Sequence, residues 1–116
     1  MIHICICDDS DAMRDELCGL IQELCQKHSI AASVSCCSSG EELLFDPDDK
    51  NRTTDIFFLD ILMKKLNGIE TAAKLRAINP TAQIIFLTVS KEHVFEALDV
   101  MPLHYLLKQD MRTEKI

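Results

Sequence analysis

The sequence predicts an α/β fold, a doubly wound five-stranded parallel sheet with helices on both faces, and three observations carry that expectation. Short apolar runs ending in a charged or hydroxyl residue recur along the chain, at 2–7, 56–59, 83–87 and 103–107. Segments with apolar residues at three- and four-residue spacing stand between them. The connections are too long for hairpins, so successive strands run parallel and the helices cross over.

The first run, 2–7, closes on Asp8 and Asp9, the pattern of a central strand buried on both faces. Met13, Leu17, Leu20, Ile21, Leu24 and Cys25 then form one apolar face on a helix over about 10–28, with Ser10 or Asp11 as its cap. A second strand is expected over 30–36. Ser39 and Glu42 have the spacing of a capping box that opens a short helix through Phe45. Residues 46–54 are polar, contain Pro47 and read as loop. The clearest strand is Ile-Phe-Phe-Leu at 56–59, bracketed by Asp55 and Asp60. Asn67 and Glu70 mark a helix start, and Asn79-Pro80 its end, because proline disfavours helical geometry in the residue before it. A fourth strand leads into Thr88, Ser90 caps a helix to about Val100, and a fifth strand leads into Lys108. A last helix is expected from Asp110 and is cut short.

The 116 residues suit one domain, 1–116, and 47% hydrophobic with 27% charged residues is the composition of a chain that folds. No apolar run approaches the ~18 residues needed to span a membrane, and no basic segment precedes an apolar core at the N-terminus. A cytoplasmic location is therefore expected. A net charge of −7 argues against this domain gripping a nucleic-acid backbone itself. The six cysteines, Cys5, Cys7, Cys18, Cys25, Cys36 and Cys37, are expected to stay reduced and pack as small hydrophobes. Cys5 and Cys7 share a strand face and Cys36-Cys37 could approach them. A metal or redox centre is nevertheless not expected, since there is no C-x-x-C pair and both segments read as buried sheet. His3, His28, His93 and His104 lack ligand spacing.

In such sheets ligands bind beyond the carboxyl ends of the strands. That rule selects Asp8, Asp9, Asp60, Thr88 and Lys108 and brings them to one rim. Singly, each has an ordinary reading: cap or turn for the aspartates, strand former for Thr88, surface charge for Lys108. Together they need a joint account, because three clustered carboxylates repel one another and require positive charge. Lys108 supplies one unit. Oxygen-only donors without His or Cys favour Mg²⁺, which binds through one or two carboxylates and completes its shell with water and phosphate. With a phosphoryl group present, Asp60 is the nucleophile, Mg²⁺ and Lys108 share the phosphoryl charge, and the Thr88 hydroxyl donates to an oxygen.

Asp8-Asp9 after an apolar strand, Phe57-Phe58-Leu59-Asp60-Ile61-Leu62-Met63 with Gly68 eight residues beyond Asp60, Phe86-Leu87-Thr88 and Tyr105-Leu106-Leu107-Lys108 together resemble the receiver domain of two-component response regulators. Residues 95–100 and 104–108 are similar to the LytTR branch, whose effector half binds DNA. The resemblance implies a flavodoxin-like strand order 2-1-3-4-5 and phosphorylation of Asp60 by a sensor histidine kinase. It implies Mg²⁺ ligation by Asp9, Asp60 and the backbone carbonyl of Leu62, with Asp8 acting through water. Thr88 and Tyr105 match the pair that reports phosphorylation to the surface around the fourth helix and fifth strand. It also implies transcriptional output through an effector domain absent from this chain.

Three departures bear on behaviour. Gln109 follows Lys108 where most receivers have proline, which puts the usual cis bond in question. Val89, beside Thr88, is bulkier than the residue common there, and Leu62 occupies a position that can hold a polar side chain orienting water. A slowly hydrolysing acyl phosphate is the expectation. Two rival readings are an interaction module that is never phosphorylated and a phosphohydrolase with an aspartate nucleophile. The latter expects a second Asp where this chain has Leu62. Homodimer formation through an apolar patch left by the short last helix is a further expectation.

Overall fold

The structure, a computed structural model, describes residues 1–63, 66–89, 92 and 94–108. The elements follow as β1 (Ile2–Cys7), α1 (Asp11–Lys27), β2 (Ala32–Cys37), α2 (Gly40–Leu44), a 3-10 turn (Lys50–Arg52), β3 (Ile56–Asp60), α3 (Gly68–Ile78), β4 (Gln83–Thr88), α4 (Val94–Leu98) and β5 (His104–Leu107). The sheet order is β2-β1-β3-β4-β5, with every neighbouring pair parallel. The apolar strands divide their side chains between two cores because successive residues point to opposite faces. On one face Cys5, Cys7, Phe57, Leu59, Ile84 and Phe86 meet Leu43 of α2 and Leu75 of α3. On the other, Ile4, Ile6, Phe58, Leu87 and Leu106 meet Leu17 and Ile21 of α1. This is the doubly wound architecture the alternation predicts.

Several boundaries differ from expectation for local reasons. β2 starts at Ala32 rather than Ile30, since the Ile30 amide donates to the Cys25 carbonyl at 2.7 Å and closes the end of α1 after Ser29 turns at φ 55°. As an edge strand it is mostly exposed or half-buried, not buried sheet. The capping box at Ser39 is half made. Ser39 Oγ accepts from the Glu42 amide at 3.0 Å, but the Glu42 carboxylate accepts from the amide and hydroxyl of Ser38, at 3.1 and 3.3 Å. At α3 the box is complete, with Asn67 and Glu70 exchanging bonds at 2.9 and 3.2 Å. The segment 46–54 is not plain loop: it contains the 3-10 turn and delivers buried Asn51, whose amide donates to the Leu43 carbonyl at 2.8 Å. Helix α4 ends at Leu98, short of Val100. The Val100 and Met101 amides close i,i+3 turns, Met101 is left-handed at φ 51°, and Arg76 donates to the carbonyls of both residues. The expected cap at Ser90, the bond to Gln109, His93 and the helix from Asp110 lie outside the described residues.

Candidate functional site

The C-terminal ends of β1, β3, β4 and β5 meet at one rim, and the sheet register explains who meets whom. Cys7 pairs with Leu59, placing Asp8 beside Asp60. Thr88 pairs with Leu107, placing Lys108 one residue beyond Thr88 on the neighbouring strand. Asp8 and Asp60 are 0% and 2% exposed, whereas Asp9 is exposed. Oxygens of the three carboxylates lie within 4.8 Å of one another. Lys108 Nζ sits 3.0 Å from Asp8 Oδ2 and 3.3 Å from Asp60 Oδ1. Asp8 Oδ2 is buried and receives no well-directed hydrogen bond, so its ion pair with Lys108 leaves acceptor capacity unmet.

Backbone groups fix the remaining oxygens. Asp8 Oδ1 accepts from the Ser10 amide at 2.9 Å and Asp60 Oδ1 from the Leu62 amide at 3.2 Å. Both are two-residue Asx turns that lead the chain off the strand end. Burial and the negative charge of Asp8 push the Asp60 carboxyl up to about 7, against the opposing pull of Lys108. Burial works against the Lys108 ammonium, but its ion pairs with Asp8 and Asp60 prevail, and its pKa is raised. One lysine thus fails to neutralise the pocket. An all-oxygen donor set with an under-bonded buried carboxylate oxygen suits a hard divalent cation.

All five rim residues chosen from the sequence therefore lie at the strand ends. Asp8, Asp9, Asp60 and Lys108 form one cluster, and Thr88 is 1% exposed at the end of β4. Tyr105 is half-buried on β5, its ring 6.4 Å from that of Phe86 and tilted by 57°. Leu62 and Val89 are 50% and 60% exposed. Sequence reasoning missed Arg14, which donates to the Asp8 carbonyl at 2.7 Å and also bonds Asp11. Its placement one helical turn into α1, facing the end of β1, was the available signal.

A doubly wound parallel domain with a buried acidic pocket and a lysine at its strand ends defines a class of small α/β proteins that carry an acidic strand-end site. Within that class the family model for the response regulator receiver domain matches residues 4–115, and the chain belongs to this family, the signalling module of two-component systems. Among curated relatives, the sensory transduction protein LytT of Oceanobacillus iheyensis is 35% identical over 109 residues, covering 92% of this chain and 42% of that protein. The positive alginate biosynthesis regulatory protein of Pseudomonas aeruginosa is 33% identical over 107 residues, covering 92% and 41%. The chain spans about two-fifths of the length of these relatives, and the similarity to LytT is consistent with the LytTR branch. Among solved structures, the response regulator TrrA of Thermotoga maritima, in complex with Mg²⁺-BeF, superposes with a TM-score of 0.76 at 25% identity, covering 92% of this chain and 86% of that one. Among the described residues no helix is long and apolar enough to cross a membrane.

Proposed function

We propose that Asp60 accepts a phosphoryl group from a sensor histidine kinase in a Mg²⁺-dependent reaction, and that the acyl phosphate switches an output carried elsewhere in the protein. The observation that carries this reading is the placement of Lys108 Nζ between Asp8 Oδ2 and Asp60 Oδ1 beside a three-carboxylate cluster. Asp8, Asp9, Asp60 and the Leu62 carbonyl would hold the cation, which when bound supplies positive charge to the carboxylates and to phosphoryl oxygens. The chain's own residues do the rest. Asp60, ionised once the pocket is neutralised, attacks phosphorus while the bond to the donor's imidazole breaks. Lys108 follows the developing charge from the carboxylate to the phosphoryl oxygens, and the Thr88 hydroxyl donates a hydrogen bond to one of them.

The Leu62 amide holds Asp60 Oδ1 in place, so the nucleophile is oriented before the donor arrives. Thr88 moving toward the phosphoryl group frees space beside it, and Tyr105, on the adjacent strand, follows. That carries the change toward α4 and β5. Similarity to LytT and to the alginate regulator favours transcriptional output through a DNA-binding effector domain. Incubation with acetyl phosphate and Mg²⁺ should add one HPO₃, ~80 Da, to the intact mass. Addition that persists in Asp60→Asn, or no addition in the native chain, refutes the assignment.

A further inference from the structure

The cysteines, expected to stay reduced and pack as small hydrophobes, are not equivalent. Cys5 and Cys7 pack in the core at 4% and 0% exposure. Cys36 is the one exposed cysteine of the six, all of which lie within the described residues. Along β2 the alternate residues Ala32, Val34 and Cys36 share a face, and Ala32 and Val34 pack in the same cluster as Cys18 of α1. Cys36 therefore stands on the side of the sheet that α1 and its Cys18 cover, and Cys18 is among the groups that act on its thiol. One thiol is open to solvent and the other lies on the helix packed over the same sheet face, outside the core that holds Cys5 and Cys7.

We propose that Cys18 and Cys36 are a reversible dithiol–disulfide site that a hydroperoxide oxidises, stitching α1 to β2. The Cys36 thiol loses its proton to solvent and the thiolate attacks one peroxide oxygen. The O–O bond breaks and the leaving oxygen takes a proton, giving a sulfenic acid and water or an alcohol. Cys18 then attacks the Cys36 sulfur, an S–S bond forms, the S–O bond breaks, and hydroxide leaves with the Cys18 proton as a second water. Two thiols lose two electrons and two protons while the peroxide is reduced. A small dithiol reverses the bond by exchange. Burial and the neighbouring Cys18 hold the Cys36 thiol above its ordinary value, while Arg14 acts in the opposite direction. The thiolate is thus a minor species at neutral pH, and the site responds to sustained oxidant rather than to a brief pulse.

The location gives the bond a structural consequence. Cys18 lies one helical turn beyond Arg14, whose guanidinium donates to the Asp8 carbonyl at the acidic rim. A bond to β2 would tie down the turn of α1 that supports that contact, and would close a loop from residue 18 to residue 36 that restricts the unfolded chain.

The full chain is treated with hydrogen peroxide, free thiols are blocked, and the unreduced digest is read by mass spectrometry. The expected product is a peptide joining Cys18 to Cys36, two hydrogens lighter than its parts, with titratable thiols falling from six to four per chain. The cross-link lies within one chain, so the denatured product keeps the mass of a single chain; dithiothreitol reverses it, and its thermal midpoint is higher than that of the reduced chain. Cys36→Ser replaces an exposed side chain, and Cys18→Ser serves as a second variant; folding of each is checked by circular dichroism. Both should lose the cross-link. A disulfide between chains through Cys36, a link between Cys5 and Cys37, irreversible oxidation of Cys36 without Cys18, or six thiols surviving a dose that oxidises a free cysteine would each overturn the proposal.

Discussion

Gly68, the first residue of α3, lies so close to Asp60 that a Cβ there would be 2.8 Å from the Asp60 carbonyl carbon and 2.9 Å from Ile61 Cα. Its amide donates to the Ile61 carbonyl at 2.9 Å, so the helix start is pinned directly against the backbone of the candidate acceptor. Because the obstruction is backbone, no side chain can move aside to relieve it. Gly68→Ala should destabilise the domain by at least about 2 kcal/mol and displace Asp60. Urea unfolding reads the first effect and phosphodonor uptake the second; an unchanged midpoint would show that the contact is looser than the geometry requires.

The raised pKa of Asp60 makes stability depend on pH. In the cation-free fold its carboxyl titrates at about 7, against an ordinary value of 3.8. Between those values the folded chain binds a proton that the unfolded chain releases. The group's stabilising contribution is therefore full below 3.8 and is lost as pH rises through about 7. Without divalent cations the urea midpoint should fall between pH 5 and pH 8, and this fall should shrink in Asp60→Asn. Millimolar Mg²⁺ should restore the midpoint at pH 8 and do little at pH 5.

Lys108 contacts two buried carboxylates, and its side chain is itself only 15% exposed. Lys108→Met removes the positive partner and leaves negative charge uncompensated, a loss of roughly 2–4 kcal/mol in cation-free protein at pH 8. At pH 5, where Asp60 is protonated, the loss should be smaller. Phosphodonor uptake should fall at both, and Lys108→Arg should recover little of it, because a planar fork cannot replace a compact ammonium between two oxygens. Equal losses at the two pH values would dissociate Lys108 from the Asp60 charge.

Leu62 is half exposed beside the pocket and carries no group able to orient water. If the acyl phosphate forms on Asp60, Leu62→Asn should accelerate its hydrolysis about tenfold, equivalent to ~1.4 kcal/mol of barrier. Decay of the phosphorylated mass with time measures this directly. A native half-life of seconds would contradict the expected slow hydrolysis.

At the opposite end of the sheet, Asn79 Nδ2 donates to the carbonyls of Asn51 and Thr54 at 2.8 and 2.9 Å while its Oδ1 accepts from the Ala82 amide at 3.1 Å. Asn79 is 6% exposed. Asn79→Ala leaves several buried backbone groups unpaired and should cost about 2–3 kcal/mol, with phosphodonor uptake retained in the folded fraction. A loss under ~0.5 kcal/mol would mean that water replaces the amide.

What could be read from the residues alone was set by short-range rules. Strand periodicity, the Asn67–Glu70 cap and the stop at Asn79-Pro80 depend on neighbours within a few positions, so the alternating pattern, and with it the parallel sheet, was legible. The rim follows because a parallel sheet places every strand's C-terminal end on one side, which brings Asp8, Asp9, Asp60, Thr88 and Lys108 together. Other features depend on competition among nearby donors and acceptors, or on residues that only docking brings together. The Ser39 box is only half made because Ser38 offers Glu42 two donors, and β2 starts late because the end of α1 takes the Ile30 amide. The bond from Arg14 to the Asp8 carbonyl, the crowding of Gly68 against Asp60 and the placement of Cys18 and Cys36 on one side of the sheet exist only once helices are docked on the sheet. Local propensity names the elements and their ends, whereas the distance between two side chains on different elements is a property of packing, and packing decided how Asp60 is held.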